Sequence, residues 1–157
     1  MARRLERICL INPKRAVWGL TDKIRQALLE CHRHLKAFYS PPLSLLTIAG
    51  LSPPEIEIEL IQEDFDPIDF DRNYDLVGIT AMTHTAERAY WIADQFRSRG
   101  VYVVIGGIHA TVMPEEALLH ADSVVVGEAE GLWPALLQDL RSGEPRRIYR
   151  DPPGHRP

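Results

Sequence analysis

The sequence predicts an α/β fold, a doubly wound parallel sheet of five strands in the order 2-1-3-4-5. Three observations carry this. Between Asp75 and Trp133 the chain reads strand, loop, helix three times over, in Asp75-Leu-Val-Gly-Ile-Thr-Ala-Met-Thr83, Val101-Tyr-Val-Val-Ile-Gly-Gly-Ile-His-Ala-Thr111 and Asp122-Ser-Val-Val-Val-Gly-Glu-Ala-Glu130. Short apolar runs alternating with helical patterns mark βαβ units. Arg7-Ile-Cys-Leu-Ile11 is a continuous apolar run, as suits a central strand buried on both faces, and Glu55-Ile-Glu-Ile-Glu-Leu60 alternates strictly, as suits an edge strand with one wet face. With the second strand at the edge, the switch point falls between strands one and three, and ligands of such sheets lie beyond the strands' carboxyl ends.

The elements follow in order. After the first strand, Asn12-Pro13 stops the run; no Gly-x-Gly-x-x-Gly turn follows, which excludes a dinucleotide fingerprint, and the acidic residues of a receiver-type phosphoacceptor are missing as well. From Thr21 to Tyr39, Ile24, Leu28, Cys31, Leu35 and Phe38 recur at helical spacing, with Thr21 as N-cap. Pro41-Pro42 breaks the chain before Leu43–Leu51, expected as a short, largely buried helix, which Pro53-Pro54 ends. The acidic stretch Glu63–Asp71 is expected as a solvated crossover anchored by its apolar residues. The helix up to Arg99 buries Ala86, Ala89, Tyr90, Ala93 and Phe96, and Gly100 stops it. Pro114-Glu115-Glu116 opens a further helix, with proline and acids in its first turn. The last helix carries Leu132, Trp133, Leu136, Leu137 and Leu140 and ends at Gly143. Residues 1–143 are expected as one domain, and 144–157, rich in proline and arginine, as a linker towards a domain outside this chain.

Composition narrows the function. At 157 residues, 45% hydrophobic and 25% charged, the chain suits a single globular core. A net charge of -4 and a pI near 5.8 argue against nucleic acid or an anionic membrane as partner. The basic groups at 2–7 and at Arg146-Arg147 read as solvated flanks. No apolar run has the length of a signal peptide core or a membrane span, and the expected location is cytoplasmic. The two cysteines, Cys9 and Cys31, read as buried thiols. Cys31-His32-Arg33-His34 does not converge on one ion from adjacent helical positions, and the carboxylates of Glu63–Asp71 lack cation-loop spacing, so no metal ligand is assigned.

The site is sought in the three loops. Gly106-Gly107 directly follows a strand, where a ligand or another backbone comes close. Thr80 and Thr83 place hydroxyls beside it, His109 is an ionisable ring on the same rim, and Glu128 and Glu130 start the last helix, where capping alone also accounts for them.

At these residues the sequence resembles the cobalamin-binding domain that precedes the catalytic domain of many radical S-adenosylmethionine enzymes. The resemblance covers nearly the whole chain. It rests on Pro41-Pro-Leu-Ser-Leu-Leu46, Asp75-Leu-Val-Gly-Ile-Thr80, Gly106-Gly-Ile-His-Ala-Thr111, Pro114-Glu-Glu116, Ala121-Asp122 and Val126-Gly-Glu-Ala-Glu130 with Trp133-Pro134. It implies a Rossmann-like, flavodoxin-like sheet whose carboxyl edge takes the nucleotide tail of the corrinoid, with the corrin ring over the loops. On that analogy Thr80, Ala81, Met82 and Thr83 flank tail or ring. Gly106 and Gly107, followed by Ile108 and His109, admit the tail, and Gly127 and Glu128 close the far side.

Two departures matter. Where other cobalamin domains carry Asp-x-His-x-x-Gly with a cobalt-ligating histidine, this chain reads Asn12-Pro-Lys-Arg-Ala-Val17, so base-off cobalamin without a protein histidine on cobalt is expected. No Cys-x-x-x-Cys-x-x-Cys occurs, so no iron–sulfur cluster is expected on this chain and no catalytic residue is assigned. The implied role is to hold cobalamin for a methyl transfer or rearrangement by a radical S-adenosylmethionine catalytic domain in the same or another chain. The other readings are a cofactor-free regulatory or protein-interaction domain and a flavin- or nucleotide-binding domain.

Overall fold

A computed structural model of the chain describes residues 4–14, 30 and 43–150. The strands are β1 (Arg7–Asn12), β2 (Glu57–Gln62), β3 (Leu76–Thr80), β4 (Tyr102–Gly106), β5 (Ser123–Val126) and β6 (Ile148–Arg150). The helices are α1 (Leu43–Leu51), α2 (Ala86–Ser98), α3 (Ile108–Val112), α4 (Pro114–His120) and α5 (Trp133–Ser142), with a 3-10 turn at Thr83–Thr85. The six strands pair in parallel in the order β2-β1-β3-β4-β5-β6. The doubly wound reading holds, with β2 at the edge and the switch point between β1 and β3.

The strand count is corrected from five to six. β6 lies within the stretch read as tail, pairing Val125 with Tyr149. It escapes a periodicity search because it is three residues long, with Tyr149 wholly buried and its neighbours not. Tyr149 is held at its hydroxyl, which donates to Asp139 (3.1 Å) and accepts from the Arg146 amide (3.0 Å).

Alternate residues of the central strands feed two cores. Cys9, Ile11, Val77, Ile79, Val103 and Ile105 face α2, α3 and α4, where Ala89, Ala93, Phe96, Ala110 and Ala117 meet them. Ile8, Leu10, Leu76, Val104, Val125 and Tyr149 face α1 and α5 through Ile48, Trp133, Leu136 and Leu140. Cys9 is a fully buried thiol, and burial, reinforced by the Glu59 charge, pushes its pKa up to about 12. The crossover from β2 to β3 is anchored by Ile68 and Phe70 against the first core, with the Phe70 ring 5.0 Å from that of Phe96.

α1 departs from expectation. It buries Leu45 and Ile48, whereas Leu43 is 78% exposed and Leu46 and Leu51 are also open. Leu43–Leu51 is apolar nearly all round, so its sequence cannot tell a stripe from a fully buried helix. The helical pattern 21–39 lies outside the described residues except for Glu30, which is helical and exposed. Cys31-His32-Arg33-His34, Pro41-Pro42 and 151–157 also lie outside them.

Two aspartates quoted for the family resemblance work at the opposite end of the sheet from its carboxyl edge. Asp75 accepts the amides of Glu6 and Arg7 (2.7 and 2.8 Å), and Asp122 that of Val103 (2.8 Å). These amides open β1 and β4, so the carboxylates satisfy donors that would otherwise lack partners.

Candidate functional site

Beyond the carboxyl ends of β1, β3, β4 and β5 lies a cavity of about 620 Å³. Its floor follows from register. Leu10 pairs with Gly78 and Gly78 with Val104; one step further up the same face, Thr80 pairs with Gly106. Two positions of this floor therefore carry no side chain. A Cβ on Gly78 would stand 2.8 Å from Leu10 Cδ2 and 3.9 Å from the Trp133 ring, so those two side chains fill its place. A Cβ on Gly106 would meet only Val125, at an ordinary 3.7 Å, and otherwise enter the cavity.

The walls are apolar. Leu45 and Ile48 come from α1 and Trp133 from α5; the indole N–H donates to Ser52 Oγ (2.9 Å), which in turn donates to the Ile48 carbonyl (2.8 Å). That relay joins the two helices above the floor and satisfies the one polar atom of a 3% exposed tryptophan. Polar groups gather at the rim: Asn12 and Gln62 at one end, Glu128 and Glu130 at the other. Met82, Ile108 and Val112 form an exposed apolar lip between them.

The three rim loops are tied in series. The Ala81 amide donates to the Gly106 carbonyl (2.8 Å), and the His109 amide to the Ala81 carbonyl (2.9 Å). Gly107 completes this junction at φ +96°, where a Cβ would lie 2.8 Å from Ala81 O and 2.9 Å from Thr80 Oγ1. The Gly127 amide then donates to Thr111 Oγ1 (3.0 Å), whose hydroxyl donates to the Gly107 carbonyl (3.0 Å). At the far rim Glu63, its side chain 6% exposed, clasps Arg88 and accepts the Lys14 amide (3.0 Å), fixing the loop that carries Pro13. Burial alone would raise the Glu63 carboxyl; Arg88 and Lys14 outweigh it and hold the group below its ordinary value.

Of the ten residues predicted for the site, Thr80, Met82, Gly106, Gly107, Ile108, Gly127 and Glu128 line the cavity. Ala81 is fully buried and serves through its backbone, and Thr83 is exposed on the 3-10 turn, outside the lining. His109 is 7% exposed and packs among α2 and α4, its Nε2 3.4 Å from Glu116 and its ring 5.9 Å from that of Tyr90. His84 is the imidazole that lines the cavity among the described residues. Sequence reasoning did not single out Gly78, Leu10, Ile48 or Thr111. Gly78 had a usable signal, a glycine within a strand, which marks a close approach. Among the described residues, no three His, Cys, Asp or Glu side chains are grouped to hold a metal ion, and no helix is long and apolar enough to cross a membrane.

Residues 41–137 match the B12 binding domain family. The chain belongs to that family. As a B12-binding domain it is 49% identical over 108 residues to the bacteriochlorophyllide d C-8(2)-methyltransferase of Chlorobaculum tepidum, covering 68% of this chain and 24% of that protein. It is 33% identical over 153 residues to the bacteriochlorophyllide d C-12(1)-methyltransferase of the same organism, covering 96% of this chain and 33% of that one. An uncharacterized methyltransferase of Pyrococcus horikoshii is 33% identical over 116 residues, or 66% of this chain and 25% of its own length. This B12-binding domain thus spans about a quarter to a third of the relatives it matches.

Proposed function

We propose that this chain holds cobalamin at the carboxyl edge of its sheet and presents it to a catalytic domain that performs a methyl transfer or rearrangement. The observation that carries the reading is the trough at the β1/β3 switch point, where Gly106 leaves the floor open between apolar walls while Leu10 and Trp133 close over Gly78. A long cofactor tail fits such a trough: it needs depth, close approach to backbone, and few charges. The exposed lip of Met82, Ile108 and Val112 suits the broad face of a corrin ring. Thr80, Gly106, Gly107, Gly127 and Glu128 would bound the tail, with Ala81 fixing the junction from behind.

When bound, cobalamin supplies the cobalt-centred chemistry of the reaction. The protein's own contribution is to bind, orient and shield. Trp133, Leu45 and Ile48 exclude water from the trough, and the tied loops keep its mouth open. A radical S-adenosylmethionine domain as partner is supported by the family resemblance and by relatives named as methyltransferases. Cys9, the cysteine among the described residues, is sealed in the core and offers no accessible thiolate.

Reconstitution with hydroxocobalamin followed by gel filtration tests the reading. The protein fraction should keep a red-to-orange colour at about one corrinoid per chain. A colourless fraction would favour a cofactor-free scaffold, and yellow absorbance after incubation with flavin would favour a flavin domain.

A further inference from the structure

The rim loops are joined by ties of two kinds. Between the β3 and β4 loops the tie is backbone to backbone, Ala81 with Gly106 and His109, so trimming a side chain does not remove it. Between the β4 and β5 loops the tie runs through a side chain: the Thr111 hydroxyl accepts from the Gly127 amide and donates to the Gly107 carbonyl, both at 3.0 Å. Gly127 needs that hold. It sits at φ +93° with nothing within 4 Å of its Cβ position, so packing does not fix it. The loop that follows carries Glu128, Ala129 and Glu130 across the cavity, and is next anchored where the Ala129 carbonyl accepts the amides of Leu132 and Trp133 (3.1 and 2.8 Å).

We propose that Thr111 is a positioning residue whose hydroxyl sets the β5 loop over the cavity before the ligand arrives. This rests on the cobalamin reading for the ligand and on the hydrogen bonds alone for the loop. A loop already placed loses less freedom on binding, so the clasp contributes affinity in addition to any contact Thr111 makes as a lining residue. A neutral hydrogen bond of this kind corresponds to about a two- to tenfold change in an equilibrium constant.

The test uses the full chain with Thr111→Val, which keeps the branched shape and removes the hydroxyl, and Thr111→Ser, which keeps the hydroxyl. Two quantities are read: hydrogen exchange at the Gly127 amide without ligand, and the Kd for hydroxocobalamin. Valine should speed Gly127 exchange and raise the Kd by about two- to tenfold, and serine should restore both. Equal exchange in wild type and Thr111→Val overturns the clasp. Faster exchange with an unchanged Kd overturns its role in binding. A wild-type chain that takes up no hydroxocobalamin overturns the cobalamin reading and the affinity claim together, and the exchange result still decides whether Thr111 sets the loop.

Discussion

The Trp133 ring lies 3.9 Å from where a Cβ on Gly78 would stand, and Leu10 Cδ2 only 2.8 Å from it. A helix residue and a strand residue thus close over a glycine in the middle of a fully paired strand. Gly78→Ala has strand propensity in its favour but must displace Leu10, which is 1% exposed. Overpacking of this kind costs about 1–3 kcal/mol. The variant should lose stability within that range in urea unfolding, with an unchanged slope. An unchanged midpoint would mean that Leu10 swings into the cavity, and the cavity would then be smaller in the variant.

Gly106 and Gly107 are adjacent and should behave oppositely. At Gly106 the backbone is ordinary strand and the Cβ direction is open apart from Val125. Gly106→Val should fold within about 1 kcal/mol of wild type, since β-branched residues suit strands, and should lose cobalamin retention on gel filtration. Gly107→Val places a branched side chain at φ +96° against the Ala81 backbone. Strain of that sort costs about 1–3 kcal/mol, so this variant should melt earlier whether or not cofactor is present. If Gly106→Val binds normally, the tail does not pass over the β4 end.

The sheet was legible because its signals are local. Arg7–Ile11 and Glu55–Leu60 display buried and edge strands in their own patterns, and the βα repeats fix the order. β6 was not, because Tyr149 alone carries its burial. The rim was legible as glycines and hydroxyls after strands, but not the direction each takes. Sequence places His109 two residues beyond Gly107; a short helix then turns its ring towards Tyr90 and Glu116. The floor and walls were hidden for another reason. Leu10, Ile48 and Trp133 look like core residues, and they are; Leu10 and Trp133 fill the place of a Cβ on Gly78, and the floor stays open at Gly106, whose Cβ direction is free apart from Val125.

Glu63 should make stability depend on pH. Its folded carboxyl titrates below its ordinary value of 4.5, so its stabilisation is complete above that value and is lost as pH falls through the lower, folded one. Glu63→Gln removes the charge facing Arg88 and Lys14 and should cost about 1–2 kcal/mol at pH 7. The gap between wild type and variant should close as the pH drops below 4.5. Urea midpoints for the two proteins between pH 7 and pH 3 measure this directly. A gap that persists in acid would assign the loss to packing of the carboxamide rather than to charge.

The last prediction concerns cobalt. At the end of β1 Asn12-Pro13-Lys14 stands where other cobalamin domains carry Asp-x-His with the ligating histidine, and the Lys14 amide is bound to Glu63. His109, a histidine predicted for the rim, is buried beside Glu116 instead. That leaves His84, on the exposed 3-10 turn, as the imidazole lining the cavity among the described residues. A turn side chain with no hydrogen-bonded partner among the described residues to orient its ring is a poor metal ligand, because ligating histidines are ordinarily held by their second nitrogen. The cob(II)alamin form bound to this chain should therefore be base-off, with no nitrogen superhyperfine splitting in its paramagnetic resonance spectrum. His84→Ala should leave that spectrum unchanged. Splitting in the wild type that vanishes in His84→Ala would make His84 a cobalt ligand; splitting that survives would come from the cofactor's own benzimidazole or from another imidazole, such as His32 or His34.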